Sequence, residues 1–351
     1  MSDRGRFESR TAAVTGAGGF IGEAVCRRLV AEGAEVRGID VDAGAASRVG
    51  AAGAAFVEAD VAESEAMREA LEGAELVVHA AALVHEWGSM ADFVRVNVAG
   101  TANVVDAAAA AGAAPVVHIS SVVVYGYDDA SEQDETAFRR AYGIPYIDTK
   151  SASDRLASRR GAIVIRPGDV YGPGSVPWTI RPAAMARAGQ LAVPLPGDGL
   201  MLPLYVDDLA EAVVLALERG EPGHAYAVWD DSSPIAFEEH FNRLARTVGG
   251  REARRLPRPL LELTGLAMEG WARLHRKPPP FAARSVIFID RRGTVSAAKA
   301  RAELGWEPRV SYEEGMRRTA AWLRERPLAA SSAIRGRGPG PLVVEGRIPA
   351  L

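Results

Sequence analysis

The sequence has little of what disulfides, metal clusters and membrane spans require. It contains a single cysteine, Cys26, in 351 residues, which excludes an internal disulfide and a cysteine-based metal cluster. The six histidines form no HxxxH pattern, so we expect no metal site. No run approaches the roughly 18 apolar residues that a membrane span needs, and the N-terminal stretch lacks an apolar signal segment. These absences favour a cytoplasmic protein without a spanning segment.

An excess of charge of one sign is also missing. The chain has 41 Lys and Arg against 45 Asp and Glu, for a formal net charge of -4. Proteins that bind nucleic acids usually carry a clear basic excess, because they neutralise phosphates. We therefore expect a small-molecule substrate and no nucleic-acid partner.

Short apolar runs alternate with longer segments of helical period as far as about residue 167. The runs TAAVTG, EVRGID, AAFVEAD, LVVHAAA, PVVHIS and AIVIRP are apolar on both faces, which is typical of buried parallel strands. The segments between them are long enough to be crossover helices. The fold class predicted is α/β, a doubly wound parallel sheet of Rossmann type.

A glycine-rich turn follows the first predicted strand and opens a helix. Gly16, Gly19 and Gly22 would allow a tight turn, close approach of a pyrophosphate and close helix packing. Asp40, 18 residues after Gly22 at the end of the second strand, would accept hydrogen bonds from an adenosine ribose and repel a 2′-phosphate. This pattern predicts NAD as the cofactor and disfavours NADP.

A second group of residues suggests proton transfer. Tyr146 and Lys150 are four residues apart, so a helix places them on one face, and a nearby ammonium should lower the pKa of the phenol. Ser121 ends a predicted strand 25 residues before Tyr146, at the sheet edge where ligands of such folds bind. Together they predict a tyrosine that donates a proton to an alkoxide.

The regular alternation breaks down after the sixth strand, where Pro and Gly accumulate. A smaller, mainly helical substrate lobe is expected to begin there. The predicted organisation is an NAD-binding domain over 1–170 completed by about 204–230, a substrate lobe from 171–203 and 231–326, and a flexible tail over 327–351.

With these motifs in order, the chain resembles the extended short-chain dehydrogenase/reductase family over about residues 11–326. The segments TGAGGFIG, VNVAGTANVV, SSVVVYG, YIDTK and RPGDVYGPG are similar to the signatures of that family, and the C-terminal part is similar to its 3β-hydroxysteroid dehydrogenase-like members. The resemblance implies an NAD-dependent enzyme, and a homodimer formed through two long helices that begin near Asp92 and Tyr146.

The resemblance also assigns residue roles. Tyr146 would be the catalytic acid/base, Lys150 would hold the nicotinamide ribose, and Ser121 would hydrogen-bond the reacting oxygen. Asn97 would help to order the active-site helix, with an ordinary mid-helix asparagine as the alternative. Asp60 would bind the adenine amino group or cap the chain locally. The full cofactor site expected is Gly16, Gly19, Phe20, Ile21, Gly22, Asp40, Asp60, Val61, Ala80, Ala81, Tyr146, Lys150 and Pro167.

The substrate predicted is lipophilic, either steroid-like or long-chain. The segment 199–205, GLMLPLY, is apolar and lacks a cation that could pair with a diphosphate. The expected substrate residues are Ser121, Val122, Tyr146, Trp178 and Leu202. Packing within the lobe is the alternative for the apolar members of this set. A sugar-nucleotide epimerase or dehydratase that retains NAD is the second hypothesis, and a cofactor-binding scaffold without turnover is the third.

The segment 260–274, LLELTGLAMEGWARL, has one apolar face. We predict a helix that packs in the core; a position at a membrane surface or over the substrate entrance is the alternative.

Overall fold

A computed structural model of the chain describes residues 5–85, 88–127, 130–137, 141–232, 234–275 and 281–326. The predicted tail over 327–351 lies outside these residues. The strands are β1 (Thr11–Thr15), β2 (Glu35–Asp40), β3 (Ala55–Glu58), β4 (Leu76–His79), β5 (Val116–Ile119), β6 (Glu132–Gln133), β7 (Ile163–Pro167), β8 (Asp169–Tyr171), β9 (Ala192–Pro194), β10 (Leu200–Met201), β11 (Pro203–Tyr205), β12 (Ala225–Val228), β13 (Ile235–Ala236), β14 (Arg254–Leu256) and β15 (Thr294–Val295).

Eleven α-helices accompany these strands in the described part of the chain. They are α1 (Phe20–Ala31), α2 (Ala46–Ala51), α3 (Ser64–Leu71), α4 (Met90–Phe93), α5 (Gly100–Ala110), α6 (Pro145–Arg159), α7 (Arg181–Arg187), α8 (Val206–Arg219), α9 (Phe237–Thr247), α10 (Arg258–His275) and α11 (Tyr312–Glu325). A π-helical segment, Val94–Ala99, joins α4 to α5 without a break. Within the residues covered, no helix combines the length and apolar character that crossing a bilayer demands.

The central sheet has seven strands in the order β3-β2-β1-β4-β5-β7-β12, and every pair is parallel. The chain moves outwards from β1 to β3 and then crosses back to β4, so the direction of winding reverses between β1 and β4. A cleft forms outside the carboxyl ends of the strands at such a reversal. The predicted doubly wound sheet is confirmed. The six apolar runs correspond to β1 to β5 and β7, and β12 lies in the range 204–230 that was expected to complete the domain.

Helices cover both faces of the sheet because successive strand residues point to opposite sides. Val14 of β1 packs in one apolar layer with Leu29 of α1 and with α8. Ala13, its neighbour, packs in the opposite layer with Leu71 of α3 and Val104 of α5. Two-sided burial explains why these strands are apolar throughout.

The second lobe is built from short paired strands and helices. Strands β8 and β11 pair in parallel, as do β9 and β14, whereas β10 and β13 are antiparallel. A 3-10 segment, Ala283–Ile289, packs against α10. The lobe is interrupted by α8 and β12, which return to the main sheet.

Candidate active site

The glycine turn after β1 has the shape that a pyrophosphate site requires. Gly16 has a φ of +70°, and a Cβ there would lie 2.7 Å from the backbone nitrogen of Ala81. A Cβ on Gly22 would lie 2.1 Å from the carbonyl oxygen of Gly16, so helix and turn pack backbone to backbone. Gly19 caps α1 without a side-chain hydrogen bond, and a Cβ there would approach only Gly16 within 4 Å. The N-terminus of α1 is therefore open to an anion.

Asp40 lies beside this turn at the end of β2. Its carboxylate accepts hydrogen bonds from the backbone N–H groups of Gly18, at 2.9 Å, and Asp42, at 3.0 Å. Arg48 donates to the carbonyl oxygen of Gly18 at 3.2 Å, so the guanidinium group of Arg48 lies at the same turn. The Asp40 carboxylate is thus held beside the glycine turn, next to the position predicted for the ribose, and Arg48 is a neighbour of the carboxylate.

The end of β4 forms the other wall of the turn. The N–H of Ala80 donates to the carbonyl oxygen of Thr15, and the N–H of Ala81 donates to the Thr15 hydroxyl. On the opposite side, Phe20 lies near Gly174, where an added Cβ would come within 3.5 Å of the Phe20 ring. The predicted residues at the ends of β1 and β4 are thus brought together.

Asp60 and Val61 are tied into the loop after β3. One oxygen of Asp60 accepts from the N–H of Ala62 at 2.9 Å, and the other pairs with Arg95 at 3.0 Å. The Val61 carbonyl oxygen accepts from the Asn103 side chain at 2.9 Å. The local capping role proposed for Asp60 is present, and Arg95 neutralises its charge.

Ser121 and Tyr146 meet at the carboxyl end of β5. Ser121 caps a 3-10 turn, Val122–Tyr125, and its hydroxyl accepts from the N–H of Val123 at 3.3 Å. Tyr146 is the second residue of α6, after Pro145 in the first turn, and its phenol lies beside the Ser121 hydroxyl, which acts to lower its pKa. The predicted encounter of a strand-end hydroxyl with the phenol is present.

The electrostatics of Tyr146 differ from the expectation. Burial raises its pKa to about 12; the nearby Ser121 hydroxyl opposes this shift and Asp169 adds to it. The expected lowering by Lys150 is absent because the ammonium donates to the carbonyl oxygen of Ile119 at 2.7 Å. In the protein without ligands the phenol is held protonated, in the form that a proton donor requires.

Lys150 lies one helical turn further along α6 and is buried. Burial lowers its pKa to about 8, and the carboxylate of Asp154 opposes the shift. His79 and His118, buried on the neighbouring strands, have lowered pKa values because of their burial and the nearby Lys150. The two histidines therefore stay neutral and add no second positive charge.

Asn97 connects the π-helical segment to α6. Its side-chain oxygen accepts from the N–H of Leu83 at 2.7 Å, and its amide nitrogen donates to the hydroxyl of Thr149 at 3.1 Å. Thr149 precedes Lys150 and donates to the carbonyl oxygen of Pro145 at 2.6 Å. Asn97 is thus placed to order the helix that carries Tyr146 and Lys150, and π-helical segments often mark functional positions.

A buried ion pair supports the same helix, and the sequence reasoning missed it. The carboxylate of Asp154 pairs with Arg166 at 2.8 Å, and both side chains are completely buried. Ser120 donates to the same carboxylate at 2.7 Å, and Arg166 also donates to the Tyr125 hydroxyl. Asp154 follows Lys150 by four residues, the spacing that drew attention to Tyr146, so a local signal existed.

Apolar side chains surround the phenol of Tyr146. A cluster that includes Val123, Tyr127, Ile147 and Phe288 packs with Tyr146 and Trp178. The rings of Phe288 and Tyr146 have centroids 6.2 Å apart. Trp178 was expected near the substrate, whereas Phe288 was missed because 142 residues separate it from Tyr146.

Leu202, which was expected near the substrate together with Trp178, lies outside the cluster around Tyr146. The side chain of Leu202 is completely buried in the main core, and its N–H donates to the carboxylate of Asp169 at 2.8 Å. Arg291, which the sequence reasoning missed, pairs with Asp169 at 2.5 Å in the same buried place. Val122, in the 3-10 turn, is buried, and so is Pro167 at the end of β7. Ile21 is partly buried and packs against the core.

Fold and site together define a class of protein: a doubly wound, dinucleotide-binding type with a Ser, Tyr and Lys at the cleft. Residues 12–228 match the sequence pattern of the NAD dependent epimerase/dehydratase family, and the chain belongs to that family. The resemblance stated from the motifs is therefore confirmed.

Two relatives with assigned reactions are similar to this chain over most of its length. A 2-alkyl-3-oxoalkanoate reductase of Shewanella oneidensis is 30% identical over 335 residues, covering 88% of this chain and 85% of its own. A dTDP-glucose 4,6-dehydratase of Streptomyces antibioticus is 32% identical over 306 residues, covering 81% and 83%. These names confirm the expected class of enzyme and divide over the substrate.

Among solved structures, a dTDP-glucose 4,6-dehydratase from Streptomyces venezuelae, a double mutant with NAD bound, superposes with a TM-score of 0.73. It is 23% identical, and the match covers 90% of this chain and 97% of that one. The similarity confirms the fold. NAD is the cofactor named for both the family and this neighbour, as the glycine turn predicted.

Proposed function

We propose that this protein is an NAD-dependent oxidoreductase that transfers a hydride between nicotinamide and a secondary alcohol or ketone of a lipophilic substrate. The observation that carries the proposal is the juxtaposition of the Ser121 hydroxyl and the Tyr146 phenol, set at the cleft among apolar side chains. The glycine turn and Asp40 fit the pyrophosphate and the adenosine ribose. NAD supplies the hydride chemistry when bound.

The side chains of this chain then have defined tasks. In reduction, Tyr146 donates its proton to the oxygen of the substrate as negative charge develops there. Ser121 donates a second hydrogen bond to the same oxygen, which is stabilisation by a preorganised dipole. Lys150 offers an ammonium to the hydroxyl groups of the nicotinamide ribose, and Asn97 holds the turn of α6 from which Lys150 extends.

Two features support a lipophilic substrate. Phe288 and Trp178 belong to the apolar cluster that contains the phenol, so a substrate at Tyr146 meets aromatic surface. Arg291, which donates to the carbonyl oxygen of Leu200 in the predicted substrate segment, already pairs with Asp169. Arg292, next to it in the chain, pairs with Asp198 and Asp290. The relationship to a reductase of 2-alkyl-3-oxoalkanoates agrees with this choice.

The second candidate, a sugar-nucleotide epimerase or dehydratase, is supported by the 32% identity to a dTDP-glucose 4,6-dehydratase. The two functions differ in how they treat the cofactor. An epimerase or dehydratase keeps its NAD and shows no net oxidation, whereas a reductase consumes added NADH. Spectrophotometric turnover with lipophilic ketones and with dTDP-glucose separates them.

The deciding variant is Tyr146→Phe. We expect turnover of NADH with a panel of 3-oxo acids and steroid ketones to fall at least about a hundredfold, because the acid/base is lost. Binding of NADH, followed by fluorescence, should stay near the wild-type affinity. Tyr226→Phe, which removes a phenol from β12 at the outer edge of the sheet, is the matched control and should leave turnover within about threefold. Equal turnover in the Tyr146→Phe variant would remove Tyr146 from the mechanism.

We also propose a cytoplasmic homodimer. The two long helices named from the sequence correspond to the continuous α4–α5 helix and to α6, which pack against each other. Sedimentation velocity would report a mass of twice 37.2 kDa if the protein is a dimer.

A further inference from the structure

Helix α10 leaves an apolar face uncovered. Five large side chains on it are exposed: Leu260, Leu263, Leu266, Trp271 and Leu274, with exposed fractions of 46%, 63%, 57%, 48% and 80%. Ala267 and Gly270 lie on the same arc and are also exposed. At 100° per residue these seven positions form one continuous stripe, and the stripe contains no charged residue. Exposed apolar surface of this extent marks a contact with something else.

The opposite face of α10 is fixed to the protein. Leu261 and Ala272 are buried, and a Cβ on Gly265 would lie 2.4 Å from the backbone of Ala283. The carboxylate of Glu269 accepts from the N–H of Ala283 at 2.9 Å. The sequence expectation of a core-packing helix therefore holds for one face only, and the exposed stripe is held outward by rigid contacts.

Charge around the helix differs from that of the whole chain. Residues 251–277 contain seven Lys and Arg and three Glu, a formal charge of +4, whereas the complete chain carries -4. Arg251 and Arg254 are exposed before α10, and the sequence places Arg273, Arg276 and Lys277 at its other end. Arg255 and Arg258 are also exposed, but they pair with Glu238 and with Glu262 and Asp290, so Arg251 and Arg254 carry the charge at this end. The apolar stripe thus has cations at both ends.

We propose that α10 binds the surface of an anionic lipid bilayer, lying in the plane of the interface with the stripe buried among the acyl chains. Leucine and tryptophan on one face with flanking arginines are the chemistry that such a surface recognises. A second copy of the chain fits poorly. Whether two α10 helices pair in parallel or antiparallel, the cationic end of one meets a cationic end of the other.

Helix α10 lies close to the candidate active site. Its inner face packs on the segment Ala283–Ile289, and Phe288 of that segment packs on Tyr146. The segment Ala283–Ile289 thus contacts α10 on one side and the phenol on the other. A lipophilic substrate dissolved in the bilayer would have a short path to the cleft.

The test is co-sedimentation of the full chain with vesicles in the absence of cofactor and substrate, so its result does not depend on the proposed reaction. We expect binding to phosphatidylglycerol-containing vesicles that weakens on raising salt from about 0.1 M to about 0.5 M. Leu263→Glu/Leu274→Glu should weaken binding at least about tenfold, since two apolar contacts are lost. Arg251→Gln/Arg254→Gln should weaken it about 25-fold, at about fivefold for each cation.

Ala51→Glu/Ala298→Glu, which places the same two charges on exposed positions at the end of α2 and after β15, is the control and should bind as wild type. Circular dichroism and thermal melting would verify that all variants are folded. Failure of the wild-type protein to bind anionic vesicles overturns the proposal, as does an equal loss in the control variant. A protein that instead dimerises through α10, with the leucine variant monomeric in sedimentation velocity, would assign the stripe to a second copy.

Discussion

Lys150 is a buried ammonium whose charge changes close to neutral pH. Its pKa is lowered to about 8 by burial, so the ammonium loses its proton as the pH rises through 8, far below the range of an exposed lysine. Binding of NADH at the nicotinamide ribose should therefore weaken above about pH 8. Titration of NADH fluorescence between about pH 6 and pH 10 measures the midpoint.

Tyr146 provides the control for that titration. Its pKa is raised to about 12, so the phenol stays protonated over the whole range. The midpoint should be unchanged in Tyr146→Phe and absent in Lys150→Met. A midpoint that moves when Tyr146 is replaced would assign the transition to the phenol.

Asp40 determines which dinucleotide fits beside the glycine turn. We expect Asp40→Ala to weaken NAD at least about tenfold, because hydrogen bonds to a charged group are lost. The variant should also accept NADP, since Arg48 on the same turn remains to meet a 2′-phosphate. Dissociation constants for both dinucleotides measure the change. Asp42→Ala, which loses a cap on the N–H of Gly44 and the 4.0 Å ion pair with Arg48 but keeps Asp40, should leave the preference for NAD intact.

At the scale of elements, α6 depends on the ion pair beneath it. Asp154→Asn leaves Arg166 charged and completely buried without its counter-ion, and we expect the free energy of unfolding to fall by about 3–5 kcal/mol. Urea unfolding should show a lower midpoint at an unchanged slope. The matched control is Asp106→Asn, in an exposed pair with Arg160 at 2.9 Å, which should cost less than about 1 kcal/mol. Equal losses would show that the buried pair is dispensable.

The sequence predicted those elements whose burial pattern is local. The strands β4 and β7 are buried at every residue, and such strands appear in sequence as unbroken apolar runs. Short pieces such as α7 and the segment Ala283–Ile289 were not predicted, because distant contacts hold them. Arg284, for example, donates to the carbonyl oxygen of Gly143 from 141 residues away.

The residues of the candidate site also fall into those that the sequence predicted and those that it missed. Ser121, Tyr146 and Lys150 follow from strand ends and helical spacing, and the structure brings the first two into contact. Phe288 and Arg291 lie in a part of the chain without a recognisable motif, so only the folded lobe places them beside Tyr146 and Asp169. The direction of the pKa shift at Tyr146 was also missed, since it depends on burial and on where the Lys150 ammonium points.

At the scale of the molecule, the two lobes are joined by more than the chain. Asp169 accepts from the N–H of Leu202 and pairs with Arg291, so one buried carboxylate connects three separate segments. Strand β12, which completes the sheet, lies in the sequence between two segments of the substrate lobe. Neither lobe can be cut from the other at a single point in the sequence.

The alternation of sheet and lobe segments along the chain has a consequence during synthesis, and Asp208 on α8 shows it. Its buried carboxylate accepts from the N–H groups of Arg309 and Val310, at 3.0 Å each, and its carbonyl oxygen accepts from the indole of Trp306. A nascent chain therefore exposes all seven strands outside the ribosome well before the donors for Asp208 have been translated. Final packing of the helix layer waits for the last part of synthesis, and a ribosome stalled before residue 306 would carry a complete sheet with an unsatisfied acid against it.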